Sequence, residues 1–448
     1  MRSKRTMTQS ASPTSARSEQ LSLGLPTDEL MEQIVSAGNI KRAWQRVRAN
    51  RGAPGVDGVT VDEFAAQVRE LWPAIRRQLL DGTYWPQPVR RKTIPKPDGS
   101  PRMLGIPTVL DRMIQQAVLQ VLTPLFDPSF SVSSFGYRPE RSAHGAVKQV
   151  RRWAKQGHRV AVDLDLTKFF DRVQHDVLMA RVSRKVKDKR VLALIGRYLR
   201  AGVMVEGVLQ PVEMGTPQGG PASPLLANIL LDDLDKELER RGLRFARYAD
   251  DITILVRSIA AGRRVKVSVT RWLRRHLRLE VNETKSKVVP IGQCTFLGFA
   301  FTGSDIRLPP KVLERFRQRV RFLTGRSRGI SWERRLKELN AYLRGWVNYF
   351  GLCDTKRLWT PLDEWLRRRL RMCLWKQWRH VRTRIRNLIA MGTPTREAIR
   401  TGSSHKGYWR LSKTLATHTG LTNEWFDQQR LIRLRYVWGD LAPLRRTA

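Results

Sequence analysis

The run Arg244-Phe-Ala-Arg-Tyr-Ala-Asp-Asp-Ile-Thr-Ile-Leu-Val256 constrains this chain more than any other stretch. β-Branched and aromatic residues flank two adjacent acids on both sides, which is the pattern of strand, tight turn, strand. Asp250 and Asp251 then sit at a hairpin tip. A tip of this kind holds carboxylates fixed and still leaves them open to a metal ion. Asp is also an ordinary turn residue, so the tip alone does not separate a site from a turn.

A second segment carries acids on a strand-like pattern: Arg159-Val-Ala-Val-Asp-Leu-Asp-Leu-Thr-Lys-Phe-Phe-Asp171. By period-two alternation Val160, Val162 and Leu164 share one face, and Ala161, Asp163 and Asp165 share the other. Two-metal phosphoryl transfer needs carboxylates from more than one element, holding two Mg²⁺ ions roughly 3.5–4 Å apart. Magnesium prefers hard oxygen ligands and keeps positions for substrate phosphates, so a few Asp residues suffice. Asp163 and Asp165 both point the right way, and alternation does not choose between them.

The formal net charge is +43 in 448 residues, with a pI near 11.4. A polyanionic partner is the obvious reason for such an excess. About half of it falls from residue 304 onward. There, residues 362 to 388 place apolar side chains at steps of three and four, which predicts one amphipathic helix. Its other faces carry Arg367, Arg368, Arg371, Arg379 and Arg382, which are candidates for RNA contact. One sign of charge without acidic partners repels itself, and backbone phosphates relieve that repulsion. Most of the Trp residues in this region are expected in the core, with some free to stack on bases. The three cysteines are far apart and without metal spacing, which fits a reducing cytosol. His144 and His175 likewise lack neighbours at metal spacing and are expected to be ordinary hydrogen-bonded residues. No apolar run is long enough to span a membrane. Residues 1–26 are rich in Ser, Thr and Arg and are expected to form a disordered basic tail.

Asp165-Leu-Thr-Lys-Phe-Phe-Asp171 together with Tyr248-Ala-Asp-Asp251 resembles the paired metal-binding motifs of reverse transcriptases. More narrowly, the chain resembles the reverse transcriptase–maturases encoded within bacterial group II introns. The resemblance runs in order along most of the chain. Arg51-Gly-Ala-Pro-Gly-Val-Asp-Gly58 resembles the N-terminal extension block, and Ile94-Pro-Lys-Pro-Asp-Gly-Ser-Pro-Arg-Met-Leu-Gly-Ile-Pro107 the fingers hairpin. Phe135-Gly-Tyr-Arg-Pro-Glu-Arg-Ser-Ala-His144 is similar to a block at the fingers–palm junction. Met214-Gly-Thr-Pro-Gln-Gly-Gly-Pro-Ala-Ser-Pro-Leu-Leu-Ala-Asn228 follows, its paired glycines letting backbone approach nucleic acid and Ser223 expected to cap the next helix. Leu339-Asn-Ala-Tyr-Leu-Arg-Gly-Trp-Val-Asn-Tyr-Phe350 matches the maturase or thumb signature.

The resemblance implies a catalytic, metal-binding triad of Asp165, Asp250 and Asp251 with two Mg²⁺ ions, leaving Asp163 and Asp171 to support it. It implies that Lys96 and Arg102 meet the triphosphate of a dNTP and that Phe170 collides with a 2′-hydroxyl. Gln218 and Gly219 then lie against the template–nucleotide pair, while Tyr248 and Lys285 lie on the primer and template side.

The implied fold is α+β, a right-hand polymerase with antiparallel-sheet palm and fingers. An α-helical thumb or maturase domain and a small basic helical DNA-binding domain complete it. The expected segments are the tail (1–26), the N-terminal extension (27–85), fingers and palm (86–303), thumb (304–388) and DNA-binding domain (389–448). The implied partners are group II intron RNA, a DNA target with its primer strand, and dNTPs. The implied activity is target-primed reverse transcription of intron RNA, with maturase binding that promotes splicing, in a bacterial cytoplasm close to the nucleoid. Nothing here could build a zinc-stabilised endonuclease, which points to the compact class. Two alternatives stand: a domesticated reverse transcriptase not tied to an intron, and an RNA-binding splicing chaperone with a vestigial polymerase. The sequence does not fix the oligomeric state.

Overall fold

The computed structural model of the chain describes residues 28–95, 101–205, 208–210, 214–215, 219–303 and 305–443. The expected tail lies outside them. Contacts divide the described residues into two units, one built from the stretches up to 146 and 162–288, the other from 147–161 and 289 onward.

Eleven strands among the described residues form three sheets. The first has the order β2-β1-β4-β5, from β1 (Val89–Pro95), β2 (Pro101–Ile106), β4 (Val203–Val205) and β5 (Val208–Gln210). Here β1 pairs antiparallel with β2 from Arg90↔Ile106 to Pro95↔Pro101, which is the fingers hairpin. The sheet is mixed rather than wholly antiparallel, because β1 and β4 run parallel. The second sheet has the order β6-β7-β3-β8, from β3 (Val160–Leu164), β6 (Arg244–Tyr248), β7 (Asp251–Val256) and β8 (Lys287–Pro290). The third is a small antiparallel sheet of β9 (Thr295–Phe296), β10 (Phe299–Thr302) and β11 (Asp305–Arg307).

The acidic hairpin forms where the alternation places it. β6 and β7 pair from Arg244↔Leu255 to Tyr248↔Asp251, leaving Ala249 and Asp250 as the turn. Ala249 has φ 57°, in the left-handed region that closes two-residue hairpins. Phe245, Ala246, Ile252, Ile254 and Leu255 are all 1% exposed or less. Neighbouring residues on a strand point to opposite faces, so both faces of this hairpin are covered.

What holds the turn is a charge inside the protein. Arg247 is 0% exposed, and all five of its N–H donors find acceptors. Nε and Nη2 donate to the two oxygens of Asp235, at 2.7 and 2.5 Å. Nη1 donates to Asn228 Oδ1 and to the Ala249 carbonyl, and Nη2 also reaches Ser134 Oγ. Asn228 and Asp235 belong to the helix Ser223–Arg240, twelve of whose residues are buried. The Arg247 backbone accepts from Phe135 N and donates to Ser133 O, so residues 133–135 run beside β6. Ser223 is the first residue of that helix rather than its cap. Ala222 holds the N-cap position without a side-chain hydrogen bond, and Pro224 lies in the first turn, where its missing N–H is harmless.

In the second unit the helices Pro310–Leu323, Trp332–Phe350 and Trp359–Gln377 share one apolar cluster with residues well past the expected thumb boundary. Leu388, Ala398, Leu411, Leu421, Phe426, Leu431 and Leu434 are all part of it. Polar contacts sew the same seam. Asp363 accepts from the Leu434 and Arg435 amides at the start of helix Leu434–Asp440. Trp375 Nε1 donates to Thr417 Oγ1, and Asn340 bonds the backbone of Arg430 and Ile432. A boundary at 388/389 therefore does not separate two cores.

The single helix expected over 362–388 is also two. Trp359–Gln377 ends at Trp378, and Val381–Ala390 begins after an extended His380. Arg384 stabilises the break by donating to the freed carbonyls of Trp378 and Arg379. Among the described residues no helix is long and apolar enough to cross a membrane.

Removing one partner of the Arg247 network leaves a buried, unpaired charge, at a loss of about 3–5 kcal/mol. Arg247→Met should therefore lower unfolding free energy in urea by that order. Arg247→Met combined with Asp235→Leu should recover part of it. A single variant within about 1 kcal/mol of wild type would show that the network is not the anchor.

Candidate active site

Four carboxylates meet at the end of the second sheet. Asp163 lies on β3 and Asp165 one residue beyond it, while Asp250 occupies the turn and Asp251 opens β7. The Asp165 backbone is pinned on both sides: its amide donates to Ser286 Oγ at 2.9 Å, and its carbonyl accepts from Asn282 N at 2.8 Å. Thr167 N bonds Glu280 O, and Leu166 bridges Val281, so the chain leaving β3 is held against residues 280–282.

The electrostatics report the crowding. Surrounding protein, and then the charges of Asp250, Asp163 and Asp165, push the Asp251 carboxyl up to about 6. Over a third of the residue's surface nonetheless meets solvent, so water screens much of that repulsion. Burial likewise raises Asp163 to about 6, with Lys287 opposing and Asp165 adding to the shift. Lys285 Nζ stands 4.0 Å from Asp165 Oδ2, an exposed pair. Asp163 therefore feels the Asp165 charge and adds its own to the field at Asp251.

No group of three or more His, Cys, Asp and Glu residues among the described ones forms a ready cage for one ion. Mutually repelling carboxylates from two strands, partly open to water, nevertheless fit a hard divalent cation. Magnesium completes its shell with water and substrate phosphate rather than with an all-protein cage.

Phe170 lies half-buried in a short 3₁₀ turn, its ring packed edge-on to Phe169 at 5.1 Å. Gly215 backs this turn; a Cβ there would stand 3.0 Å from the carbonyl oxygens of both Phe170 and Asp171. His175 Nε2 meets Gly215 O at 2.7 Å, an ordinary structural hydrogen bond. Gly219 has φ 132° and no room for a Cβ, which would lie 2.5 Å from Gly105 O on β2. Within the protein, that close approach is to the fingers hairpin. Lys96, Gln218 and the side chain of Arg102 lie outside the described residues; the Arg102 backbone pairs with Ile94 in the hairpin. Tyr248 is half-buried, with its ring 6.0 Å from that of Tyr137.

The basic residues sort differently from expectation. Arg371 is a correction: it is 4% exposed, donates twice to Leu421 O and lies 5.3 Å over the Phe426 ring. Burial brings its pKa down to about 10, so it supports the core and does not face solvent. Arg368 is half-buried, 3.8 Å over the Trp409 ring, and Arg367 is half-buried too. Arg379 and Arg382 are exposed. Tyr408 and Arg326, which the sequence did not single out, meet two basic residues of the 362–388 segment: the Tyr408 ring has Arg326, Lys376 and Arg384 at 5.7, 5.9 and 5.6 Å. Nearby in sequence to Arg326, the exposed Phe322 is flanked by Arg319 and Arg328 at 5.1 Å each. Lys376 and Arg384 lie on two helices and Arg326 in the turn after a third, so no local spacing announces their convergence.

Residues 94–301 match the family model described as reverse transcriptase (RNA-dependent DNA polymerase). Residues 313–390 match the model described as the group II intron maturase-specific domain. The protein YkfC of Escherichia coli (strain K12) is 32% identical over 326 residues, 62% of this chain and 83% of that one. The group II intron-encoded protein LtrA of Lactococcus lactis subsp. cremoris is 39% identical over 212 residues, 47% of this chain. The match spans only 35% of LtrA's length. A retron Mx65 reverse transcriptase of Myxococcus xanthus is 31% identical over 44% of this chain and 46% of its own. A solved partial Cas6-RT-Cas1–Cas2 complex is 26% identical over 55% of this chain and 42% of that one, at a TM-score of 0.37, too loose a likeness to build on. The reverse transcriptase match contains all four clustered acids, and the maturase-specific match follows it in sequence, from residue 313. In that order the two place the chain in the family of reverse transcriptase–maturases encoded by group II introns.

Proposed function

We propose that this protein copies intron RNA into DNA from a primer 3′-hydroxyl and binds that RNA to favour its spliced fold. The observation that carries the reading is the crowding of Asp251 by Asp250, Asp163 and Asp165, drawn from two separate strands. Negative charge concentrated at one end of a sheet, with only Lys285 and Lys287 seen to oppose it among the described residues, is what two divalent cations and a triphosphate relieve. Asp165, Asp250 and Asp251 hold two Mg²⁺ ions, and Asp163 adds to their field. Bound there, the ions would lower the pKa of the attacking hydroxyl and neutralise the leaving pyrophosphate. Arg102 and Lys96 bind the triphosphate, Phe170 excludes a 2′-hydroxyl, and Gln218 and Gly219 support the template–nucleotide pair. Lys285, beside Asp165, and Tyr248 lie on the primer side.

The maturase role rests on binding energy, because the cleavage chemistry of splicing belongs to the RNA. The basic surface around Tyr408, together with Arg367, Arg368, Arg379 and Arg382, supplies the phosphate contacts. Such a protein works at intron RNA and target DNA, hence in the cytoplasm near the nucleoid.

Primer extension on an RNA template tests the polymerase. Asp250→Asn should lower dNTP incorporation by about a thousand-fold or more, the effect of losing several kcal/mol of charge stabilisation, with RNA affinity retained. Synthesis persisting near the wild-type rate would refute the metal assignment. In the same assay Phe170→Ala should raise ribonucleotide use relative to deoxynucleotide use by roughly tenfold or more. An unchanged sugar preference would remove Phe170 from that role. Wild type that binds RNA tightly but makes no DNA would favour the splicing chaperone.

The RNA face is tested through salt dependence. Each phosphate contact on a single strand contributes about 0.7 to the slope of log K against log salt. Arg326→Glu combined with Lys376→Glu should flatten that slope by about one unit or more. A slope identical to wild type would place the RNA elsewhere.

A further inference from the structure

Tyr137 is an exposed aromatic residue in a backbone conformation that suits glycine. Its φ is 56° and it is 61% exposed. Left-handed backbone is unfavourable for a bulky L-residue, and such outliers persist where surrounding structure over-determines them. That over-determination is visible on both sides. Before it, Phe135 N bonds Arg247 O, and Asn228 Nδ2 bonds Gly136 O at 2.8 Å. Gly136 itself presses on the acidic turn, where an added Cβ would lie 2.4 Å from Ala249 N. After it, Arg138 is 9% exposed and locked by Asp127, Ser131 O and Ser134 O. The flanking anchors set the conformation at 137, yet neither burial nor backbone preference accounts for an aromatic side chain there.

Position accounts for it. The Tyr137 ring lies 6.0 Å from that of Tyr248, tilted by 44°. Tyr248 pairs with Asp251 in the last rung before the turn. Both rings therefore border the carboxylates on the β6 side, whereas Phe170 follows β3. In the sheet order β6-β7-β3-β8, β7 separates the two sides. A condensation between a 3′-hydroxyl and a triphosphate brings its two substrates to the metal-binding acids from different sides. With the incoming nucleotide on the Phe170 side, the β6 side is left for the strand being extended.

We propose that Tyr137 and Tyr248 form an aromatic platform that binds the 3′-terminal nucleoside of the primer strand. Aromatic rings beside nucleic acid stack on bases of any sequence, which suits a site that meets every terminus in turn. The inference rests on the polymerase reading above. Tyr137 holds the terminus by contact and takes no part in bond making.

The test is steady-state primer extension with full-length wild type, Tyr137→Phe and Tyr137→Gly, and with Asp250→Asn as the inactive control. Glycine adopts the left-handed backbone freely, so Tyr137→Gly should melt at or above the wild-type temperature. Its KM for primer–template should rise tenfold or more, its KM for dNTP should stay within twofold, and Tyr137→Phe should match wild type. Wild-type KM for primer–template in Tyr137→Gly would overturn the proposal. So would a change confined to the dNTP KM, a Tyr137→Phe defect equal to that of glycine, or melting of Tyr137→Gly well below wild type. Absence of extension by the wild type itself would instead defeat the polymerase reading on which the platform rests.

Discussion

One guanidinium organises the active-site end of the first unit. Arg247 sits on the strand that leads into the acidic turn, and its five donors tie that turn to a helix and to residues 133–135. A hairpin tip is ordinarily among the mobile parts of a fold. Here its carbonyl at Ala249 is held by a side chain with no surface exposure, so Asp250 and Asp251 are carried on a fixed support. The ion pair with Asp235 is more important for placement than for net stability, because desolvating two charges offsets most of their attraction. Burial pushes Asp235 upward in pKa and Arg247 opposes it, so the support works only while both partners are present.

That support is used to hold a strained arrangement. Burial first, and then neighbouring carboxylates, push Asp163 and Asp251 both up to about 6. A chain selected for stability alone would not gather like charges in this way. Perturbed acids clustered at an open site are what a charge-transfer chemistry requires. The same end of the unit carries Ala249 and Tyr137, both non-glycine residues in left-handed backbone. Strain and repulsion concentrate beside a fully buried side chain whose five donors are all paired.

The second unit solves a different problem, the packing of a strongly basic chain. Some arginines are spent on structure: Arg371 on Leu421 O, Arg384 on the helix break, and Arg335 and Arg369 on carbonyls at the end of helix Pro310–Leu323. Guanidinium groups satisfy several carbonyls at once, which lets a helix end inside the core without orphaned acceptors. The remainder stay near the surface, stacked on Phe322, Tyr408 and Trp409. Stacking holds them in place while leaving much of their charge uncompensated.

The acidic hairpin, the alternation of β3 and the fingers hairpin were legible in the sequence, because each is dictated by local pattern: period-two burial, turn residues, and glycine where a Cβ has no room. The order of motifs likewise carried the polymerase reading and the maturase region. Three things were not legible, each for the same reason. That the Asp163 charge acts on Asp251 depends on which strands neighbour β3. That Arg371 is buried while Lys376 is exposed depends on where Leu421 packs, and that one helix is two depends on Arg384 reaching back to Trp378. The sequence by itself determined which elements form and what chemistry they carry, since those follow from contacts within a few residues. Only the tertiary structure decided which charges are buried, which are left to bind, and which aromatic rings border the acids, because these are set by residues brought together across long stretches of chain.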